Sequence, residues 1–307
     1  MDFMEIALID LNGEAAETVG ELFNRYGYGG AVMESYPPMF DKITVRTVIP
    51  SEDDHRLREI EVMLALIGQA LPGGLPEPRL QFVGKSDWAE SWKAHFHPVR
   101  VGQHFVIKPS WRDYTSTTDD IVIEIDPGLA FGSGLHPTTQ LCLKILEEMP
   151  IGGQTLFDVG TGSGILTLAA LKLGAASVRA VDVDDVAVRV ARENFERNSY
   201  PSAGNEDLSG FGNLTGLETE VEVAVGSATD TGGRQWDIVV ANILANTIIE
   251  LLPDLKAALA PGGQLILSGI IAEQEASVTA VATVQDLHLV DRRIEEDWVA
   301  LVLKREV

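Results

Sequence analysis

The stretch Leu156–Asp185, LFDVGTGSGILTLAALKLGAASVRAVDVDD, decides the fold of this chain. An apolar run leads into three alternate glycines, a helical pattern follows, and a second apolar run ends in a group of aspartates. Glycine permits positive φ and a close approach to the backbone where any Cβ would collide. Ligands of parallel α/β sheets bind at the carboxyl ends of the strands, so these features predict parts of one ligand site.

Strand and helix patterns alternate from Gly152 to the C-terminus. The predicted strands are TLFDVG, SVRAVDV, EVEVAV, WDIVVANI and QLILSGI, followed by a closing pair around LHLVDRRIEE and WVALVLK. This pattern predicts a doubly wound α/β domain with a mostly parallel, seven-stranded sheet. Residues 199–217 are rich in Gly, Ser and Asn and show no periodicity, which predicts an exposed insertion.

The N-terminal part follows a different plan. Its strand and helix patterns run in the order βαββαβ, which predicts a smaller α+β domain of ferredoxin-like type over residues 1–85, with binding as its expected role. Residues 86–100 are predicted to form a linker helix, and residues 101–307 the larger domain. Trp88, Trp92 and Phe96 recur at four-residue steps, so they form either a packing stripe between domains or a surface that grips substrate.

Composition narrows the classes of partner and compartment. The net charge of −23 and the pI near 4.5 disfavour direct binding to nucleic acid, whereas a basic protein partner or a solvated acidic surface both fit. The single Cys142, the absence of a signal-peptide pattern and the absence of a long uncharged apolar run lead us to expect a cytoplasmic protein with no membrane segment. We expect a monomer.

A metal site is not expected. His95, His97 and His104 lie close together in the sequence, but no cysteine or carboxylate stands among them at ligand spacing.

The glycine turn differs from two common phosphate-binding motifs. A dinucleotide fingerprint needs a glycine where Ile165 stands, and no lysine follows as in a P-loop. Asp182 closes the second strand and could bind both hydroxyls of a ribose. Asp184 and Asp185 suit the start of a helix, and Asp158 either fastens the loop's own amides or contacts the ligand. The pattern resembles the S-adenosylmethionine site of class I methyltransferases, which implies that the turn holds the methionine part and Asp182 the ribose.

Two further stretches bear on the site. DPGLAFGSGLHPTTQLCL places Gly128, Gly132 and Gly134 around Phe131, which predicts a flap whose aromatic ring can cover a ligand. Pro137 then starts a helix with Thr138 and Thr139 in its first turn, a place that suits a carboxylate. His136 serves either a loop hydrogen bond or proton transfer.

Asn242 ends the strand WDIVVAN at the carboxyl edge of the sheet. Its amide either accepts hydrogen bonds from a target amine or simply forms a turn.

The chain as a whole resembles the methyltransferases of ribosomal large-subunit protein eleven. The resemblance is carried by DWAESWKAHFHPVRVG, PSWRD, DPGLAFGSGLHPTT, DVGTGSGILTLAALKLGA, VDVD, VVANILAN and PGGQLILSGI. It implies that S-adenosylmethionine is the cofactor and that the N-terminal domain recognises the ribosomal protein, whose lysine side chains and α-amine are methylated. The implied cofactor-binding positions are Thr139, Gly160, Gly162, Asp182, Asn242 and Phe131.

Three features depart from the family's pattern. The flap usually reads FGTGTHPTT, whereas Ser133 and Leu135 stand here, and Thr247 replaces a proline after NILAN. The insertion at 199–217 is also longer than expected.

Methyl transfer from a sulfonium to an amine depends on alignment, because the leaving group departs neutral. No catalytic base is evident, so we assign Asn242 to orienting the amine and the flap to excluding water. The competing interpretations are a methyltransferase for RNA or a small molecule, and a cofactor-binding module without catalysis.

Overall fold

The computed structural model describes residues 3–27, 31–36, 39–71, 73–83, 96–126, 130–200 and 220–306. The chain divides into two compact units, Met1–Phe96 and His97–Val307. Trp88, Trp92, His95, Gly128 and residues 201–217 of the predicted insertion lie outside the described residues. Most of the predicted linker helix lies outside them as well.

The first unit has the predicted βαββαβ order. Its strands form one antiparallel sheet in the order β2-β3-β1-β4, which is the ferredoxin-like arrangement. The side chains of Asn12 and Asp53 start the two helices by accepting from the backbone N–H groups of Ala15 and Arg56. The elements are β1 (Phe3–Leu11), α1 (Gly13–Tyr26), β2 (Val32–Tyr36), β3 (Met39–Pro50), α2 (Asp54–Ala70) and β4 (Arg79–Val83).

The second unit opens with a small sheet that the sequence patterns did not predict. It consists of β5 (Val99–Val101), β6 (Phe105–Lys108) and β7 (Ile121–Glu124), with β6 between the other two. Because Val99 and Arg100 belong to β5, the prediction of a helix up to residue 100 is wrong at its end. Strands of three or four residues are too short to show a period in the sequence.

The remaining strands form the predicted seven-stranded sheet in the order β10-β9-β8-β11-β12-β14-β13. The first five of these are parallel, and the last two pair antiparallel. The α/β prediction is therefore confirmed. The elements are α3 (Pro137–Glu148), β8 (Thr155–Val159), α4 (Ile165–Lys172), β9 (Ser177–Asp182), α5 (Asp185–Arg197), β10 (Glu220–Val225), β11 (Trp236–Asn242), α6 (Ala245–Ala258), β12 (Leu259–Ile271), α7 (Glu275–Val284), β13 (Leu287–Glu295) and β14 (Trp298–Arg305).

Each face of this sheet packs against its own layer of helices. Alternate residues of a strand point to opposite faces, so Leu156 and Val240 belong to the core beneath α3, α4 and α5. Phe157 and Ala241 belong to the core beneath α6 and α7. The register places Asp158 opposite Val240, and it thereby puts the Asp158 side chain on the α3 face.

Candidate active site

The glycine turn connects β8 to α4. Gly160, Gly162 and Gly164 have φ values of 74°, 55° and 81°, so the predicted left-handed conformation is confirmed. The N–H groups of Gly160 and Thr161 both donate to the carbonyl of Val181, at 2.9 and 3.0 Å. These bonds fix the turn to the end of the neighbouring strand.

The space beside these glycines is taken by the chain itself. A Cβ on Gly160 would collide with the side chain of Ile243, and one on Gly162 would lie 2.5 Å from the carbonyl oxygen of Phe131. The sequence analysis predicted a ligand, rather than other parts of the chain, at the positions where these Cβ atoms would lie. Besides their positive φ, glycines are required at these two positions because two other motifs, the flap and the NILAN segment, pack against the turn.

Asp182 lies at the end of β9 and holds the turn from the other side. Its Oδ2 accepts from the N–H of Gly162 at 2.9 Å, and its Oδ1 accepts from the N–H of Asp184 at 3.0 Å. Asp184 in turn caps α5 by accepting from Val186, which confirms its expected role as a helix-start residue. A carboxylate has about four acceptor positions, so Asp182 keeps capacity for further donors.

Asp158 is 1% exposed and lies beneath the turn. Its Oδ2 accepts from the hydroxyls of Thr161 and Thr167 at 2.7 and 2.8 Å, so it fastens the turn to the beginning of α4. Its Oδ1 is buried and has no hydrogen-bond partner among the described residues. Burial raises the pKa of Asp158 to about 6, because desolvation disfavours the charged form.

Asn242 and Thr139 are brought together across the edge of the sheet. The Asn242 Nδ2 group donates to Thr139 Oγ1 at 3.4 Å. Within the described part of the chain, Asn242 Oδ1 is buried without a partner, as Asp158 Oδ1 is. Two acceptor oxygens therefore lie on the α3 face with no donor from the surrounding side chains.

The first turn of α3 is organised by His136. Its Nδ1 accepts from the N–H of Thr138 at 3.4 Å and lies 2.8 Å from the hydroxyl of that residue. The Thr139 N–H donates to the carbonyl of His136, so these two amides are already used. Burial lowers the pKa of His136 to about 4, which leaves the ring neutral at pH 7. The structure thus agrees with the loop hydrogen bond that was one of the two interpretations of His136.

Phe131 and Trp298 both contact the His136 ring, with centroids 5.4 and 4.8 Å away in edge-on arrangements. Phe131 is 51% exposed, so its ring does not cover a closed cavity. Trp298 begins β14, far from the flap in sequence, and no sequence pattern pointed to it.

Asp182 and Asn242 lie on the two strands that flank β8. Their register places both one residue beyond the pairing partners of Val159, at about 10 Å from each other given the usual strand spacing. Both side chains belong to the α3 face, and the glycine turn lies between them. The two residues therefore border one edge region, as the sequence predicted for parts of one site.

Comparison with known proteins identifies the family. The model of the ribosomal protein L11 methyltransferase (PrmA) family matches residues 3–306. The chain belongs to this family. It is 40% identical to the ribosomal protein L11 methyltransferase of Chloroflexus aurantiacus, over 99% of this chain and 98% of that protein. It is 37% identical to the one of Herpetosiphon aurantiacus, over the full length of both.

A solved structure agrees with this assignment to the L11 methyltransferase family. The ribosomal protein L11 methylase of Lactobacillus delbrueckii subsp. bulgaricus is 32% identical, with a TM-score of 0.60. The match covers 69% of this chain and 100% of that one. The resemblance drawn from the motifs is confirmed, and the chain is a methyltransferase of the class I fold.

The residues that depart from the family's flap and NILAN motifs are exposed or half-buried in this L11 methyltransferase. Leu135 is 44% exposed, and its carbonyl accepts from the Gln140 side chain at 3.1 Å. Thr247 lies half-buried in the first turn of α6.

Two general properties complete the description. In the part of the chain that the structure describes, no cluster of three His, Cys, Asp or Glu side chains is arranged to hold a metal ion. Within the same residues, no helix combines the length and apolar character that crossing a membrane requires.

Proposed function

We propose that this enzyme transfers methyl groups from S-adenosylmethionine to amines of ribosomal protein L11, both lysine side chains and the N-terminal α-amine. One observation carries the choice of cofactor. Asp158 Oδ1 and Asn242 Oδ1 are buried acceptors that lack a donor among the described residues, and both lie on the α3 face. Unpaired buried acceptors are costly, and an amino-acid ammonium group would supply the missing N–H donors.

The carboxylate of such an amino acid fits the start of α3. The Thr139 hydroxyl accepts from Asn242, so its own hydrogen is free to donate. The N-terminus of α3 adds a favourable dipole for negative charge. Because the amides of Thr138 and Thr139 already donate to His136, we assign the carboxylate to this hydroxyl rather than to the amides.

We assign the ribose to Asp182. Its two bonds to backbone N–H groups fix the orientation of the carboxylate and leave acceptor capacity for two hydroxyls. Gly160 and Gly162 hold the adjoining turn, and we place them with Thr139, Asp182, Asn242 and Phe131 in the cofactor site.

When bound, S-adenosylmethionine supplies a methyl group that is attached to a sulfonium. The sulfur is the leaving group, and it departs neutral. A lysine amine, with a pKa near 10.4, must be deprotonated before it attacks, and a desolvated site favours the neutral amine. An amide oxygen has two lone pairs, so Asn242 Oδ1 can accept from the cofactor's ammonium and from the target amine. This shared contact would hold the target amine in line with the bound cofactor, and such alignment is the main requirement of the reaction.

The names of the relatives and the charge of the chain support L11 as the substrate. The net charge of −23 complements a basic protein. We propose that the first 85 residues recognise L11, since the cofactor site is built entirely from the second unit.

Methyl transfer to purified L11 tests the proposal directly. The enzyme is incubated with methyl-labelled S-adenosylmethionine and either L11 or ribosomal RNA, and mass spectrometry locates the methyl groups. We expect methylated amines in L11 and none in RNA. Label in RNA alone would favour an RNA methyltransferase, and cofactor binding without any transfer would favour a binding module.

A matched pair of variants ties the activity to the site. Asn242→Ala removes the amide at the end of β11, whereas Asn246→Ala removes the exposed second asparagine of NILAN, the second residue of α6. We expect transfer to L11 to fall only in the first variant. Equal activity of both would remove Asn242 from the proposed site.

A truncation tests the recognition assignment. Removing residues 1–85 should leave cofactor binding by the second unit intact and abolish methylation of L11. Methylation of L11 at the full rate by the truncated chain would show that recognition lies elsewhere.

A further inference from the structure

Ser163 stands between Gly162 and Gly164 in the glycine turn, and it connects this turn to the flap. It is 2% exposed. Its N–H donates to the carbonyl of Phe131 at 2.8 Å, and its hydroxyl donates to the carbonyl of Gly132 at 2.6 Å. One side chain and its own amide thus bind two successive carbonyls of the flap, residues 130–136.

The two segments also interlock sterically. Gly132 has a φ of 102°, and a Cβ on it would lie 2.7 Å from the hydroxyl oxygen of Ser163. A Cβ on Gly162 would lie 2.5 Å from the carbonyl of Phe131. Each segment therefore fits only against a glycine of the other, so the contact is close over its whole length.

The end of α5 holds the glycine turn and the strand β7. The Asn194 side chain donates to the carbonyl of Ser163 at 2.8 Å. Four residues later, Asn198 donates to the carbonyl of Glu124 at 2.7 Å and accepts from its N–H at 3.0 Å. Glu124 is the last residue of β7, which precedes the flap. The glycine turn and the end of β7 are thus both held by the C-terminal end of α5.

We propose that Ser163 is a positioning residue for methyl transfer, which holds the flap backbone on the glycine turn. Through this contact, Phe131 and the start of α3 keep a fixed place relative to Asp182 and Asn242, the other side chains of the proposed cofactor site. The inference rests on the proposed function. A merely structural hydroxyl would affect stability alone, whereas a positioning hydroxyl affects the flap and turnover.

The first test compares Ser163→Ala with Ser177→Ala in the full-length chain. Ser177 is also a buried serine, and its hydroxyl donates to the Glu220 side chain. It is the first residue of β9 and lies at the amino ends of the parallel strands, opposite to the glycine turn. Loss of one hydrogen bond to a buried carbonyl should raise hydrogen exchange in residues 131–136 about tenfold in Ser163→Ala only. Exchange there at the wild-type rate would overturn the proposal.

The second measurement separates positioning from binding. We expect kcat for L11 to fall about fivefold in Ser163→Ala. The Kd for S-adenosylmethionine should rise by no more than about twofold, because Asp182 and Asn242 keep their positions and only the contacts of Phe131 and Thr139 are loosened. Ser177→Ala should leave both constants unchanged. An unchanged kcat in Ser163→Ala would also overturn the proposal.

A variant on the flap tests the same contact from the other side. Gly132→Ala introduces the Cβ that would meet the Ser163 hydroxyl, so it should loosen the flap as well. In the double variant the backbone strain of an alanine at a φ of 102° remains but the colliding oxygen is gone, so its effect on exchange should be smaller than the product of the single effects. Independent, multiplicative effects would contradict a direct contact. Exchange needs no substrate, so a failure of L11 methylation in the wild-type chain would refute the proposed function without affecting this test.

Discussion

The two faces of the catalytic sheet differ most at its carboxyl edge. On the α3 face, four neighbouring strands carry polar side chains: Asp158, Asp182, Asn242 and Ser268. On the opposite face, the residues next to them in sequence are all apolar and buried: Val159, Val181, Ala241 and Leu267. A shift of one residue along a strand thus separates the proposed chemistry from the packing that supports it, because side chains alternate with a period of two.

This difference between the faces also explains where hydrogen-bond acceptors are left without a partner. The apolar face buries almost only hydrocarbon, and the ring nitrogen of its buried Trp236 donates to the carbonyl of Thr231. Among the described residues, the polar face retains two unpartnered acceptors, on Asp158 and Asn242. Substitutions on the apolar face should therefore change stability, and those on the polar face should change binding, turnover or pH dependence.

The largest expected effect lies on the apolar face. Leu267→Ala removes a fully buried side chain and should lower the free energy of unfolding by about 4 kcal/mol, through lost burial and the cavity left behind. Urea unfolding measures this change. Calorimetry should show a cofactor Kd within about twofold of the wild-type value, and a large loss of affinity in the folded variant would break the separation of the two faces.

Next comes the pH dependence of Asp158. Its pKa is about 6 when folded and near 3.9 when unfolded, so the native state binds more protons between these values and stability falls as pH rises through this window. Asp158→Asn removes the titrating group and therefore this loss of stability with rising pH. The free energy of unfolding of the variant minus that of the wild type should grow by up to about 3 kcal/mol from pH 4 to pH 7. A pH-independent difference between the two unfolding curves would contradict the raised pKa.

Asn242→Ala should lower kcat for L11 methylation about 100-fold, since misalignment of reacting groups costs about this factor. The free energy of unfolding should fall by only about 1 kcal/mol, because the side chain makes one long hydrogen bond, from Nδ2 to Thr139, and its Oδ1 makes none. Steady-state kinetics and urea unfolding provide the two values. A variant with normal turnover would show that the polar face does not align the amine.

Asp182→Ala should weaken cofactor binding about 30-fold, because it removes a carboxylate that both holds the turn and is assigned to the ribose. Asp185→Asn, in the exposed first turn of α5, is the matched control with expected wild-type affinity. Calorimetric titration with S-adenosylmethionine compares them. Equal affinities would remove the ribose from Asp182.

Sequence patterns anticipated the long-range plan because it rests on local signals. Alternating strand and helix periods predicted both folds, and the positive φ of the glycine turn followed from the residue type. The end of the linker helix was wrong because β5 is only three residues long. The roles of Ile243, Ser163 and Trp298 were missed, since each acts on a segment distant in sequence.

By itself, the sequence determined the order of the elements, the polar residues at the strand ends and the family, because periodicity and motif spacing are properties of neighbouring residues. Only the tertiary structure decided what fills the space beside the glycines, which amides His136 uses and which acceptors stay unpaired. These depend on which segments meet across the sheet edge. Such contacts are set by strand order and register, and no local pattern encodes them.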